Sequence, residues 1–176
     1  MGKIVSNATP IIYLAKIGRL HLLERLYENV IVPKTLQAQL ISNEYPEVSV
    51  IKEAFQRGWL ETKELDGEAL DFLNRHLVDV AGIHEGERDA IAIAYTKHLP
   101  LIIDENEKTG RRVAKVWGIE VKGTLRVMIE AYEKDIIAYD ETKEAFTQLL
   151  AHNFRVSAEI YETALNILER IRREKR

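Results

Sequence analysis

Pro100-Leu101-Ile102-Ile103-Asp104 decides the fold class. Three large apolar residues run together without polar alternation and stop at an aspartate. A short, unbroken apolar run of this kind suits a strand buried on both faces, as in a parallel sheet covered by helices. An apolar helical stretch, Ala90–Tyr95, precedes it, and a helix is expected over about Thr109–Trp117 behind it. Outward from this centre the alternation continues. Ile4-Val5-Ser6 reads as a first strand ending at Asn7, followed by Thr9 as N-cap and Pro10 at the first helical position. A second helix is expected over Leu20–Tyr27, a strand at Val30-Ile31-Val32, and a helix from Pro33 through Leu40. Ser42–Val78 is the least regular part, with a helix over Val48–Arg57 closed by Gly58, an edge strand within Trp59–Leu65 and a helix over Gly67–Leu77. Beyond Gly118, Ile119-Glu120-Val121 is the last expected strand, then come helices over Leu125–Lys134, Asp140–Ala151 and Ser157–Arg173. Strands alternating with helices predict an α/β fold with a central parallel sheet between two helical layers. The last forty or so residues, from about 136, are expected to cap the same single domain.

Composition narrows the function classes. The 176 residues are 46% hydrophobic and 30% charged, which suits a folded chain and not a disordered one. No apolar run approaches the length of a membrane span. The absence of cysteine excludes disulfides, thiolate metal sites and cysteine nucleophiles. With no apolar leader at its start, the chain is expected in the cytoplasm. A net charge of −3 means that any nucleic-acid contact must come from a local basic patch.

In an open parallel sheet, sites form beyond the carboxyl ends of the strands. That rule selects Asn7-Ala8-Thr9, Asp104-Glu105-Asn106-Glu107 and Gly123-Thr124. The start of the helix after His84-Glu85-Gly86-Glu87 is expected at the same edge and offers Glu87 and Asp89. Gathered carboxylates repel one another, and a hard divalent cation such as Mg²⁺ or Mn²⁺ relieves that repulsion through oxygen ligands. No histidine pair at ligand spacing suggests zinc, and neither a GxxxxGK[ST] nor a GxGxxG loop is present. The plainer readings are a capping role for Asp104, a first-turn acid interacting with the helix dipole for Glu87, a surface carboxylate for Asp89 and a turn residue for Asn7.

With those residues quoted, the chain resembles a PIN domain, the fold of Mg²⁺-dependent ribonucleases that includes the VapC toxins. The likeness rests on Ile4-Val5-Ser6-Asn7-Ala8-Thr9-Pro10-Ile11-Ile12, Val30-Ile31-Val32-Pro33, Gly86-Glu87-Arg88-Asp89-Ala90-Ile91-Ala92, Leu101-Ile102-Ile103-Asp104-Glu105 with Gly110-Arg111-Arg112, and Val121-Lys122-Gly123-Thr124. The resemblance implies a three-layer α/β/α architecture and an acidic metal site of four positions. At the first, this chain has Asn7 instead of aspartate. At the second it has Gln39 instead of glutamate. Asp89 matches the third best, although helical geometry places Glu87 nearer the buried face of Ala90, Ile91 and Ala94. The fourth is Asp104, with Glu105 or Glu107 nearby. Amide oxygens still ligate hard cations but bring no charge, so metal affinity is expected to fall. Thr9, Arg111, Arg112 and Lys115 are candidate RNA contacts, the last three against the alternative of a solvated helix face.

Three functions stay open on this footing. One is a metal-dependent endoribonuclease resembling toxin–antitoxin toxins, with RNA as substrate, a small antitoxin protein as partner and a homodimeric state implied. Another is a PIN-like RNA- or protein-binding module with a decayed site. The third is an unrelated doubly wound phosphoacceptor domain, against which the missing acidic pair at Asn7 argues.

Overall fold

The computed structural model describes residues 2–176. Lys3–Ser6 (β1), Asn29–Pro33 (β2), Leu60–Lys63 (β3), Leu101–Ile102 (β4) and Val121–Lys122 (β5) form one sheet in the order β3-β2-β1-β4-β5. Every adjacent pair is parallel, with Ile4 opposite Val30, Val30 opposite Leu60, and Val5 opposite both Ile31 and Leu101.

Successive strand residues point to opposite faces, and the core divides accordingly. Ile4, Val30, Val32, Leu60 and Ile102 belong to one apolar cluster. It also takes in Ala8–Lys16 (α1), His21–Leu26 (α2), Gln37–Ile41 (α3), Pro46–Arg57 (α4), Thr124–Glu133 (α8), Tyr139–Ala151 (α9) and Ala158–Glu174 (α10). Val5, Ile31, Leu101 and Ile103 belong to the other cluster, with Gly67–His76 (α5), Glu85–Lys97 (α6) and Lys108–Val116 (α7). The strands are apolar without alternation because each residue meets a helical layer on whichever side it points. The result is the expected three-layer arrangement. In α9 and α10, Phe146, Leu149, Ala164 and Leu168 join the same cluster as Ile4 of the first strand. Among the described residues, no helix is long and apolar enough to cross a membrane.

Local signals explain most boundaries. Gly58 closes α4 at φ 81°, a conformation that glycine adopts without a Cβ clash. Asp66 caps α5 by accepting from Ala69 N–H at 2.9 Å, and Ser157 caps α10. Within Ser42–Val78 the expected helix, edge strand and helix are present as α4, β3 and α5, with β3 at the edge of the sheet.

Three boundaries differ from expectation. The N-cap of α1 is Asn7 and not Thr9, which puts Pro10 third in the helix. Proline is tolerated there because the first four N–H groups of a helix have no intrahelical partner. Pro33 ends β2 instead of starting a helix; a 3₁₀ turn, Lys34–Leu36, intervenes before α3. The last strand begins at Val121, two residues late. Gly118 at φ 75° turns the chain back, and Ile119 N–H still donates to Ala114 of α7 at 3.0 Å.

Candidate metal centre

The strand order fixes where a site can form. From β1 the chain steps to β2 and β3 on one side, then returns to β4 and β5 on the other. The switch point therefore lies between the carboxyl ends of β1 and β4, where the crevice of an open α/β sheet opens. Asn7 follows β1, and Ile103-Asp104 follows β4. The two ends are stitched together by Asn7 N–H donating to Ile102 O at 3.1 Å.

A cavity of about 140 Å³ lies at this edge, lined by Asn7, Thr9, Leu36, Gln39, His84, Glu87 and Glu107 among others. Four helix starts supply it: α1 brings Asn7 and Thr9, α3 Gln39, α6 His84 and Glu87, and α7 Glu107. Glu87 is 5% exposed. One carboxylate oxygen, Oε2, accepts the His84 backbone N–H at 3.0 Å, so the residue does act in the helix first turn. The other, Oε1, is buried with no partner. The backbone of α7 makes room for it: a Cβ at Gly110 would stand 2.5 Å from Glu87 Oε1.

The same lack recurs along the edge. Asn7 Oδ1, Asp104 Oδ1 and Glu105 Oε2 are also buried without hydrogen-bond partners. An unpaired buried oxygen costs on the order of 1–3 kcal/mol; those of Asn7 and Glu87 line the same cavity, and those of Asp104 and Glu105 lie on the strand-end loop that leads to Glu107. Electrostatics agree. Burial, reinforced by the charge of Glu105, pushes the Asp104 carboxyl up to about 7, although the N–H groups of Asn106 and Glu105 pull the other way. Glu87 is also raised, first by burial and then by Glu107, against the opposing His84 N–H. Carboxyls crowded into a largely buried edge with free oxygens suit a divalent cation, which supplies the missing positive charge. The donor set is oxygen-rich with a single imidazole, so it fits a Mg²⁺- or Mn²⁺-type ion better than a structural zinc.

The expected site residues separate on this geometry. Asn7, Thr9, Gln39, Glu87 and Glu107 surround one cavity. Asp104 belongs to the same edge through its neighbours Glu105 and Glu107, both of which raise it. Asp104 does not cap the following helix, which begins four residues later at Lys108. Asp89 lies elsewhere: its Oδ2 accepts from Thr35 Oγ1 at 2.8 Å, and it lines a neighbouring cavity with Lys34, Lys63 and Arg88. Burial raises Asp89 too, but the other influences are Thr35 and Glu85, not groups of the Glu87 cavity. Glu105 reaches across to the start of α8, where its Oε1 accepts Leu125 N–H at 2.8 Å and leaves no room for a side chain at Gly123.

The basic residues also divide. Arg111 is pinned, donating to Ile103 O at 2.7 Å and facing Lys122 O, where a cation suits the carbonyl ends of the strands. Arg112 and Lys115 line a groove beside the metal-type cavity with Lys108, Glu105, Ile160 and Arg111 itself. Among the described residues, Lys108, Arg112 and Lys115 take part in no ion pair.

His84 escaped the sequence reading. A ring nitrogen of His84 and one oxygen each of Glu87 and Glu107 lie within 4.8 Å of one another. The available signal was the His-x-x-Glu spacing across a helix start, which puts both residues on one face. Glu107 arrives from a distant part of the chain.

A family model described as a PIN domain matches residues 3–170 of the chain. No curated protein matches it.

Proposed function

Because this chain belongs to the PIN domain family, a nuclease-type fold, we propose that it is a divalent-metal-dependent endoribonuclease of the toxin–antitoxin kind. The observation that carries the proposal is the set of unpartnered buried oxygens of Asn7, Glu87 and Asp104 at the topological switch point. Glu87, Glu107 and Asp104 would hold the ion with charged oxygens, and Asn7 and Gln39 would contribute neutral amide oxygens. When bound, such an ion polarises a phosphodiester and lowers the pKa of a water for in-line attack.

The chain's own residues supply the rest. Thr9 offers a hydroxyl at the cavity wall. Lys108, Arg112 and Lys115, cations without ion-pair partners among the described residues, offer phosphate contacts that hold an RNA strand without reading its sequence. Arg111 braces the ends of β4 and β5 and so keeps the Asp104 loop in place. The reading includes a small antitoxin partner, a homodimer and a cytoplasmic location.

A second reading, an RNA- or protein-binding module whose site has decayed, is favoured by the amides at Asn7 and Gln39. One assay separates the two: single-stranded RNA is incubated with the protein in Mn²⁺, in Mg²⁺ or in chelator, alongside Glu87→Gln. The nuclease reading expects metal-dependent cleavage leaving 5′-phosphates, lost in the variant. RNA binding that persists in chelator, with no cleavage under any condition, supports the binding module.

A further inference from the structure

His84 belongs to no carboxylate pattern, yet it meets two carboxylates in space. It is the N-cap of α6, extended at φ −77°, ψ 160°, and its backbone N–H fixes Glu87 through Oε2. That bond orients Glu87 and leaves the ring of His84 on the cavity wall. A ring nitrogen of His84 comes within 4.8 Å of both a Glu87 and a Glu107 oxygen, which themselves lie within that distance of each other. Outside this cluster, Asn7 Oδ1, buried on a residue 5% exposed, lacks any hydrogen-bond partner and lines the same cavity, as does Glu87 Oε1 within it.

We propose that His84 is a ligand of the metal centre, making it a mixed nitrogen–oxygen site that prefers a first-row transition ion, probed as Mn²⁺, over Mg²⁺. The proposal rests on the metal-centre reading above and adds to it a ligand and a selectivity. Mg²⁺ favours oxygen donors, dehydrates reluctantly and is held largely by charge. At Asn7 and Gln39 two expected carboxylates are amides, each removing a negative charge and weakening the hold on such an ion. A neutral imidazole does not restore that charge. It offers instead a softer nitrogen donor, which suits the transition ions and adds little for Mg²⁺. His84 thus offsets for Mn²⁺ a loss that it leaves uncompensated for Mg²⁺.

The test is calorimetric titration of the whole chain with MnCl₂ and with MgCl₂, for wild type, His84→Ala, His84→Asn and Glu87→Gln. Pulsed EPR of the Mn²⁺-loaded proteins accompanies it. The asparagine variant keeps a good N-cap residue, and both His84 variants keep the backbone N–H that holds Glu87. The expected result is that both His84 variants lose roughly tenfold or more in Mn²⁺ affinity. Their Mg²⁺ affinity changes by less than about threefold. A nitrogen coupling to Mn²⁺ should be present in wild type and absent from both. If wild type binds Mn²⁺, Glu87→Gln abolishes that binding and the His84 variants bind like wild type, the metal centre stands and the assignment of His84 is overturned. Binding of neither ion by wild type overturns both.

Discussion

Replacing Asp104 by asparagine removes a carboxyl that burial and the neighbouring Glu105 hold at about 7, against an ordinary value of 3.8. In the metal-free protein the folded state therefore binds this proton more tightly than the unfolded state. Stability is greatest below about pH 4 on this account, falls as pH rises from about 4 to about 7, and is flat above. A difference of that size corresponds to about 4 kcal/mol at full value. Screening by water at the open edge reduces it to roughly 2 kcal/mol. The asparagine oxygen still accepts from the loop N–H groups but carries no charge to desolvate. In chelator, Asp104→Asn should accordingly be more stable than wild type by roughly 2 kcal/mol at pH 8, and about equal to it at pH 4. A shallower slope of the same sign should remain in the variant, since Glu87 and Asp89 are also raised.

Manganese reverses the ranking. At a hundredfold excess over its dissociation constant a ligand stabilises the folded state by about 2.7 kcal/mol, which wild type should gain and the variant largely forgo. The assay is urea unfolding followed by circular dichroism from pH 4 to 8, with chelator and with Mn²⁺. Parallel stability curves for the two proteins in chelator, or a variant less stable than wild type at pH 8, would refute the electrostatic account. An equal gain from Mn²⁺ in both would remove Asp104 from the metal centre.

Other expectations follow from single contacts. Gly110→Ala should leave the metal-free midpoint unchanged or raise it slightly, since alanine is favoured over glycine in helices by up to ~1 kcal/mol. Metal affinity measured by calorimetry should nevertheless drop, because the new Cβ displaces Glu87 Oε1; unchanged affinity would show that this oxygen is not a ligand. Glu130→Leu tests a network remote from the site. Glu130 accepts from Lys122 at 2.7 Å, Lys134 at 2.9 Å and Tyr27 at 2.9 Å, and although burial alone would raise its carboxyl, these bonds hold it below the usual range. The variant leaves Lys122 without its main partner and should lose roughly 3 kcal/mol in urea unfolding at pH 7. In wild type the Glu130 contribution is present above about pH 4.5 and is lost as pH falls through its lowered folded value. Combined Lys108→Ala, Arg112→Ala and Lys115→Ala should weaken RNA binding uniformly across sequences. The slope of log affinity against log salt should shrink by roughly 2, and an unchanged slope would take the RNA off this groove.

The layers of this protein are legible in its sequence because each strand face is a local pattern. Ile4-Val5, Val30-Ile31-Val32 and Leu101-Ile102-Ile103 lack alternation and are too short for a buried helix, and a sheet covered on both sides buries such runs completely. The strand-end rule then points to Asn7 and Asp104 before any coordinate is known. Even the choice of Glu87 over Asp89 at the cavity is foreshadowed by helix periodicity, since residues two apart on a helix diverge by about 200°. What the chain order does not carry is which distant groups meet those residues. Both Glu87 and Asp89 are buried; one opens to the metal-type cavity because Gly110 lets α7 approach it, and the other turns to Thr35 because the 3₁₀ turn Lys34–Leu36 packs there. Arg111 looks like a phosphate contact in sequence, but the adjoining ends of β4 and β5 claim its guanidinium. His84 becomes a candidate ligand only when α6 and α7 bring it to Glu107. Periodicity is a property of neighbours along the chain, whereas a binding site depends on long-range contacts, and those are decided by the packing of the layers.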